Sequence, residues 1–297
     1  MRADVGALPR EPGVYRFRDR RGRALYVGRA ADLRRRVASY WGDLGNRPHL
    51  APMVRAVARV EAVVCASEHE AAWLERNLLE HRQPPANRTA GGQEVPVLIS
   101  LGDSGLTVVH ATRPGGVHFG PYLGGLRVRL AVSALHRIHP LPYAAARLTD
   151  AERSLAGLRG VSPADRHALV KAVSAILGRD PAAVAAAEAA LVARRDRAAE
   201  RAAYELAAQV QQEIEALAWV VAPQRVTTVS PDDLDVHGWH DGLLVSFAVR
   251  GGRLREWRLR PCTAARSAAL VAATPPAWSP FAARNAVLAA TLRATTG

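Results

Sequence analysis

The sequence predicts an α+β protein: a small three-stranded antiparallel sheet flanked by helices, then a long helical region, then a short β segment with terminal helices. Three observations carry this. Residues 13–30 read as two short apolar strands joined by the turn Asp19-Arg20-Arg21-Gly22. Residues 149–220 repeat helix-start signals, and residues 226–262 return to period-two alternation around Gly251-Gly252.

The hairpin occupies 13–19 and 24–30, and its turn sets Tyr15 and Tyr26 roughly opposite each other on one face. Ala31 to Trp41 reads as a helix with Leu33, Val37, Tyr40 and Trp41 inward, and 49–58 as a second. VEAVVCAS (60–67) is the third strand. Ser67, with Glu70 three positions on, forms a capping box that opens a helix ending near 82 before Pro84-Pro85. Two more strands are expected in 95–112, then a turn at FGPYLGG (119–125) leading into a helix near 126–138. Thr149 with Glu152 and Ser162 with Asp165 are further capping boxes, and Asp180-Pro181 starts another helix. In 198–217, Tyr204, Leu206, Val210, Ile214 and Leu217 recur at near-helical spacing, as in a helical hairpin or one arm of a coiled coil. Ser279-Pro280 caps a last helix. The expected organisation is 1–92, a connecting segment 93–145, a helical region 146–222 and a β segment with helices at 223–297.

At 297 residues, 49% of them hydrophobic, the chain can bury the cores of about two domains. No stretch approaches the ~20 apolar residues that span a bilayer. Asp4, Pro9, Glu11 and Pro12 are unlike a signal peptide, so a cytoplasmic protein without a membrane partner is expected. Cys65 and Cys262 are too few for a four-thiolate metal or iron–sulfur site and read as small apolar residues. Residues 1–59 hold 14 arginines against five acidic residues, a balance of +9 within a net charge of +13. Lys171 is the single lysine. A preference for Arg over Lys explains the choice of cation but not its concentration, which is the footprint expected for a polyanion such as DNA.

The first segment assembles chemistry-bearing groups. Arg29 stands at the mouth of the first helix, and Arg36 and Tyr40 share a helix face four residues apart. Glu75 stands within or beside the apolar stripe of Ala71, Leu74, Leu78 and Leu79, where a carboxylate is costly without a partner or a cation. One carboxylate, two tyrosines and two arginines suit phosphodiester hydrolysis. A single acid can hold a hydrated Mg²⁺ or Mn²⁺, arginine grips phosphate, and a tyrosine whose pKa is lowered by cations and metal can relay a water proton. The plainer alternative is that both tyrosines are ordinary sheet residues and Glu75 pairs with an arginine. His237 and His240, three apart in a strand, make a poor metal pair. His136 and His139 read as helix-face residues, and Trp73 as core rather than a base-stacking ring.

Gly13-Val14-Tyr15, Tyr26-Val27-Gly28 and the run from Arg29 through Arg36 to Tyr40 resemble the GIY-YIG nuclease family. The wording is nearest the UvrC excinuclease branch and its stand-alone homologue Cho. SEHEAAWLERNLLEHRQPPAN (67–87) resembles that family's metal-site helix, with Glu75 at the metal position and Asn87 as the closing asparagine. The resemblance implies that Glu75 holds the metal, Tyr15 and Tyr26 position and deprotonate water, and Arg29 and Arg36 hold the phosphate with help from Tyr40. Arg20, Arg21, Arg23, Arg34, Arg35 and Asn87 are the expected DNA contacts. FGPYLGGLRVRLAVSALHRIHPL (119–141) and residues 234–259 are similar to later UvrC segments, and 198–217 to the UVR hairpin that contacts a UvrB-like helicase.

Departures from the pattern are informative. The family's RNase H-like domain and helix-hairpin-helix motifs have no counterpart, so the 5′ incision is expected to be missing. The cysteine cluster is replaced by AAARLTDAERSLAG, so no iron–sulfur cluster is expected. The family's lysine is Arg29, a weaker proton donor. Altered DNA contacts are expected at Ala90-Gly-Gly-Gln-Glu94 and Val95-Pro-Val97. The expected function is a metal-dependent endonuclease of nucleotide excision repair type, cutting damaged or branched double-stranded DNA on the 3′ side. Two other readings are a non-cleaving adaptor that recruits a repair helicase, and the nuclease half of a longer polypeptide.

Overall fold

The structure, a computed structural model, describes residues 2–42, 44, 48–87, 95–223 and 232–295, with side chains from residue 5 onward. Ala90–Glu94 and the 226–231 part of the expected β stretch lie outside the described residues. In chain order the elements are α1 (Arg2–Ala7), β1 (Gly13–Arg18), β2 (Ala24–Ala30), α2 (Leu33–Ala38), α3 (Ala51–Ala56), β3 (Arg59–Val64) and α4 (Glu68–His81). Next come β4 (Val97–Gly102), β5 (Gly105–Val109), β6 (Val117–Tyr122), α5 (Gly125–Ile138), α6 (Asp150–Leu158), α7 (Arg166–Leu177), α8 (Pro181–Glu200) and α9 (Tyr204–Val221). The chain ends with β7 (Leu234–His240), β8 (Leu243–Arg250), β9 (Arg253–Pro261), α10 (Ala264–Ala272) and α11 (Ser279–Ala294).

Contacts divide the chain into two compact units, residues 1–93 with 224–297, and residues 94–223. The first and last expected segments therefore share one unit, and the connecting and helical segments share the other. No helix among the described residues is long and apolar enough to cross a membrane.

In the first unit β2, β1 and β3 form an antiparallel sheet in that order. Tyr15 pairs with Gly28 and Phe17 with Tyr26, so the two tyrosines are diagonal neighbours rather than directly opposite. The connection takes all of Asp19–Arg23, longer than the four-residue turn, and a bulge follows Phe17. Asp19 closes it by accepting from the backbone N–H groups of Arg21 and Arg23. Gly22, at φ 77°, takes the left-handed position.

Both faces of this sheet are buried. Tyr15 and Phe17 enter a cluster with Leu33, Val37, Tyr40, Leu50 and Met53. Val14, Val27 and Val63 enter another with Leu74, Leu78, Phe247, Trp257 and Phe281, so α4, β7–β9 and α11 cover that face. Arg16 shares it. Its guanidinium lies 3.9 Å from the Trp257 ring centroid, donates to the Trp257 carbonyl at 3.0 Å and pairs with buried Glu61 at 2.6 Å. Glu61 also takes Arg18 at 2.7 Å and Arg59 at 2.8 Å. Burial alone would raise its pKa, but the arginines outweigh burial and hold it low. Each edge of the sheet is closed by an asparagine. Asn87 accepts from the Val27 N–H and donates to its carbonyl, and Asn285 does the same to Val64. Each carboxamide satisfies one donor and one acceptor of its edge strand.

In the second unit β5, β4 and β6 form a sheet in that order. FGPY is the end of β6 rather than a turn, because it pairs with β4. The core gathers Val128 and Leu135 of α5, Leu191 of α8, and Val210 and Leu217 of α9. The hairpin in 198–217 is formed by the end of α8 and the start of α9, with Ala202 at φ 56° in the turn. α2 is shorter than expected: it starts at the Asp32 cap and ends at Ala38, so Tyr40 and Trp41 follow it rather than belonging to its inward face. α11 begins after Trp278, so Ser279 is its first residue rather than its cap.

Trp257→Ala is expected to cost about 3–5 kcal/mol in urea denaturation, as for a large core truncation. Glu61 has a depressed folded pKa, so its contribution is complete above the ordinary carboxylate pKa of about 4.3 and fades as pH falls. Glu61→Gln should lose about 3–5 kcal/mol at neutral pH and flatten the acid limb of the stability profile.

Candidate active site

Strand β1 supplies Tyr15, β2 supplies Tyr26 and Arg29, and α2 with the residues after it supplies Arg36 and Tyr40. The Tyr15 and Tyr40 hydroxyls share a hydrogen bond of 2.7 Å. Arg36 Nε donates to the Tyr15 hydroxyl at 3.4 Å, and its guanidinium lies 5.6 Å from the Tyr40 ring centroid. Tyr26 lies 6.2 Å from Tyr15 and 5.9 Å from Tyr40, centroid to centroid. The structure thus brings Tyr15, Tyr26, Tyr40 and Arg36 into one cluster. Tyr15 and Tyr40 are buried, whereas Tyr26 keeps partial access to solvent.

The electrostatics depart from the expectation of a lowered tyrosine pKa. Burial, then the neighbouring phenols, push Tyr15 well above its ordinary value, and Arg36 opposes this only in part. Tyr26 moves the same way, through burial first, then Tyr40 and Glu75. With the protein's own groups alone, both phenols are held as hydrogen-bond donors at neutral pH.

Glu75 projects from α4 with its side chain 22% exposed, and Arg29 Nε lies 3.4 Å from its Oε2. Burial raises its pKa, while Arg29 and then Arg36 pull it back. The plainer sequence alternative, a Glu75–arginine pair, is therefore present in the structure. A cation fits as well. No group of three or more His, Cys, Asp or Glu residues able to hold a metal occurs among the described residues. A site at Glu75 would have one protein carboxylate with water at the other positions, an arrangement that suits Mg²⁺.

Residues 11–88 match the family model of the UvrC-like GIY-YIG domain. Residues 11–88 are thus a UvrC-like GIY-YIG domain. Over 283 residues it is 33% identical to UvrABC system protein C of Mycobacterium tuberculosis (strain ATCC 25618 / H37Rv), covering 85% of this chain and 42% of that protein. UvrABC system protein C of Mycobacterium leprae (strain TN) is 34% identical over 282 residues, covering 86% and 43%. The chain spans about two fifths of the length of these curated relatives. Among solved structures, the magnesium-bound GIY-YIG N-terminal endonuclease domain of UvrC from Thermotoga maritima is 32% identical. It covers 29% of this chain and 93% of that chain, at a TM-score of 0.26.

The remaining sequence-selected residues of this GIY-YIG domain divide by exposure. Arg20, Arg21, Arg23 and Arg35 are exposed, and Arg23 pairs with Asp19 at 2.7 Å. Arg34 is spent structurally, its Nε donating to the Leu8 carbonyl at 2.6 Å. Both ends of the Asn87 carboxamide are committed to Val27, so Asn87 holds the Tyr26-bearing strand rather than offering a free amide to DNA. Trp73 is buried and serves as core. His136 accepts from the Leu106 N–H at 3.0 Å, and His237 pairs with Ser246 at 2.9 Å. The Arg16–Glu61–Trp257 assembly escaped the sequence reading. The signal available was a charged residue alternating with apolar ones on β1, but its partner is 241 residues away.

Asn87→Ala removes both hydrogen bonds to Val27 and should cost about 1–3 kcal/mol. Amide hydrogen exchange at Val27 should accelerate while that at Val64, held by Asn285, stays protected.

Proposed function

We propose that this chain is a metal-dependent DNA endonuclease of nucleotide excision repair type that hydrolyses one phosphodiester bond. The observation that carries the reading is the convergence of one semi-buried carboxylate, Glu75, with Arg29, the Arg36 guanidinium and the Tyr15–Tyr26–Tyr40 cluster. The family match over 11–88 and the UvrABC system protein C relatives support it. A lone acid with room for water around it supports a hydrated divalent cation.

The exposure pattern supports distinct roles. Tyr26, partly open to solvent, contacts the attacking water or the phosphate. Tyr15 and Tyr40 are buried, and act through their shared hydrogen bond to orient Tyr26 and Arg36. Arg29 and Arg36 hold the phosphate, and Arg29 exchanges Glu75 for it when a cation takes the carboxylate. Mg²⁺ or Mn²⁺ bound at Glu75 would stabilise charge on the phosphate and the leaving oxygen. Arg20, Arg21, Arg23 and Arg35 contact the duplex backbone. We assign the cut to the 3′ side of a lesion or branch, in line with the family resemblance. Residues 198–217 engage a UvrB-like helicase, which the exposed Tyr204 (71%) and Leu206 on α9 support.

The adaptor reading is favoured by one observation, the Glu75–Arg29 pair, which satisfies the carboxylate without a cation. End-labelled nicked, bubbled or adducted duplex incubated with Mg²⁺ or Mn²⁺ decides between the two. A single cut 3′ of the lesion is expected, slowed on the order of a hundredfold or more by Glu75→Gln. Binding without turnover under either metal would establish the adaptor.

Cleavage should also fall at low pH as Glu75 takes a proton. Because Arg29 lowers the Glu75 pKa against burial, Arg29→Gln is expected to move this acid limb to higher pH. An acid limb that persists unchanged in Glu75→Gln would remove Glu75 from the reaction.

A further inference from the structure

We propose that the outer face of the β7–β9 sheet is a second DNA-backbone surface, placed next to the helix that carries Glu75. The inference rests on the reading of the chain as one that acts on DNA, and assigns a surface outside residues 11–88.

The face is a groove of about 850 Å³. Its floor is low because the central strand carries Ser246 and Ala248 there. In register across it, His237 of β7 faces Ser246, which faces Arg258 of β9. Small residues between long ones leave a trough with arginine walls. Arg250, Arg255, Arg258 and Arg260 line it, and His81, the last residue of α4, closes one end.

The charges suit a polyanion. Asp235 takes Arg250 at 2.8 Å, Glu256 takes Arg258 at 2.8 Å, and Glu80 takes Arg253 at 2.8 Å with Arg255 at 3.6 Å. Arg260 has no ion-pair partner among the described residues. The lining holds four arginines against two carboxylates, Asp235 and Glu256. The Arg258 side chain is 76% exposed, and exposed pairs contribute little, so it can exchange Glu256 for a phosphate at small cost.

The floor offers no phenyl, phenol or indole ring for base stacking, since Phe247 is buried and the His237 imidazole is tied to Ser246, so the contact is with phosphates and is independent of sequence. His81 is six residues beyond Glu75, about 9 Å along the helix axis. That corresponds to roughly three nucleotide steps. The trough therefore suits backbone a few nucleotides from the scissile bond.

The test is binding of the full chain to a nicked fluorescent duplex, in chelator to prevent cleavage, across a salt series. The double variant Arg258→Gln/Arg260→Gln should bind about tenfold more weakly at low salt, and its log–log salt slope should be shallower by about 1.8, as for two lost phosphate contacts. Arg260→Glu alone should weaken binding too, which covers the case of a double variant that misfolds by thermal melting. Unchanged affinity and slope in properly folded variants overturn the proposal. So does an equal loss in the charge-matched control Arg266→Gln/Arg293→Gln. Loss of poly-glutamate binding with DNA binding intact also overturns it, by making the face an acidic-polypeptide site. Wild-type protein that fails to bind DNA at all defeats the DNA reading itself, an outcome distinct from these.

Discussion

Alternation along one six-residue strand organises the first unit. On β1, Tyr15 and Phe17 face α2, while Val14 and Arg16 face α4 and the C-terminal sheet. A slip of one residue would put an arginine among the phenols and a tyrosine under Trp257. The slip is opposed from both sides. Arg16 would lose Glu61 and the Trp257 carbonyl, and Tyr15 would lose Tyr40. A charge buried at this depth is tolerated only where its partners are in place.

The same strand explains why residues 232–295 fold back onto the start of the chain. A three-stranded sheet with two apolar faces cannot leave one of them to water, and α4 alone covers only part of it. β7–β9 and α11 cover the rest. Asn285 of α11 then repeats at β3 what Asn87 does at β2, so both sheet edges are closed by a carboxamide. The candidate site is thus built on a sheet whose position is set from outside the family-matched segment, and α4 is tied to β9 through Glu80 with Arg253 and Arg255.

Within the site, opposing effects are balanced rather than summed. Burial holds the phenols protonated and raises Glu75, while Arg29 and Arg36 draw Glu75 back toward ionisation. A carboxylate in that condition is available to either an arginine or a cation.

Much of the site was legible in the residues themselves. The strand–turn–strand pattern, the Ser67 cap and Glu75 beside an apolar stripe are local features; Arg36 and Tyr40 meet as well, but across the end of α2 rather than along one helix face. Local features are set by period, propensity and turn chemistry within a few residues. The shift of Tyr26 from opposite Tyr15 to opposite Phe17 needed the real length of the Asp19–Arg23 connection. The commitment of Asn87 and Arg34 to backbone groups needed their neighbours in space. Sequence alone determined which chemical groups this protein owns and the rough secondary structure that carries them. Tertiary structure alone decided which of them reach solvent, that the two ends of the chain share a core, and that Arg253 and Arg255 of β9 meet Glu80 of α4. The reason is physical: burial, desolvation and long-range pairing depend on residues up to 241 positions apart, and no local pattern encodes their meeting.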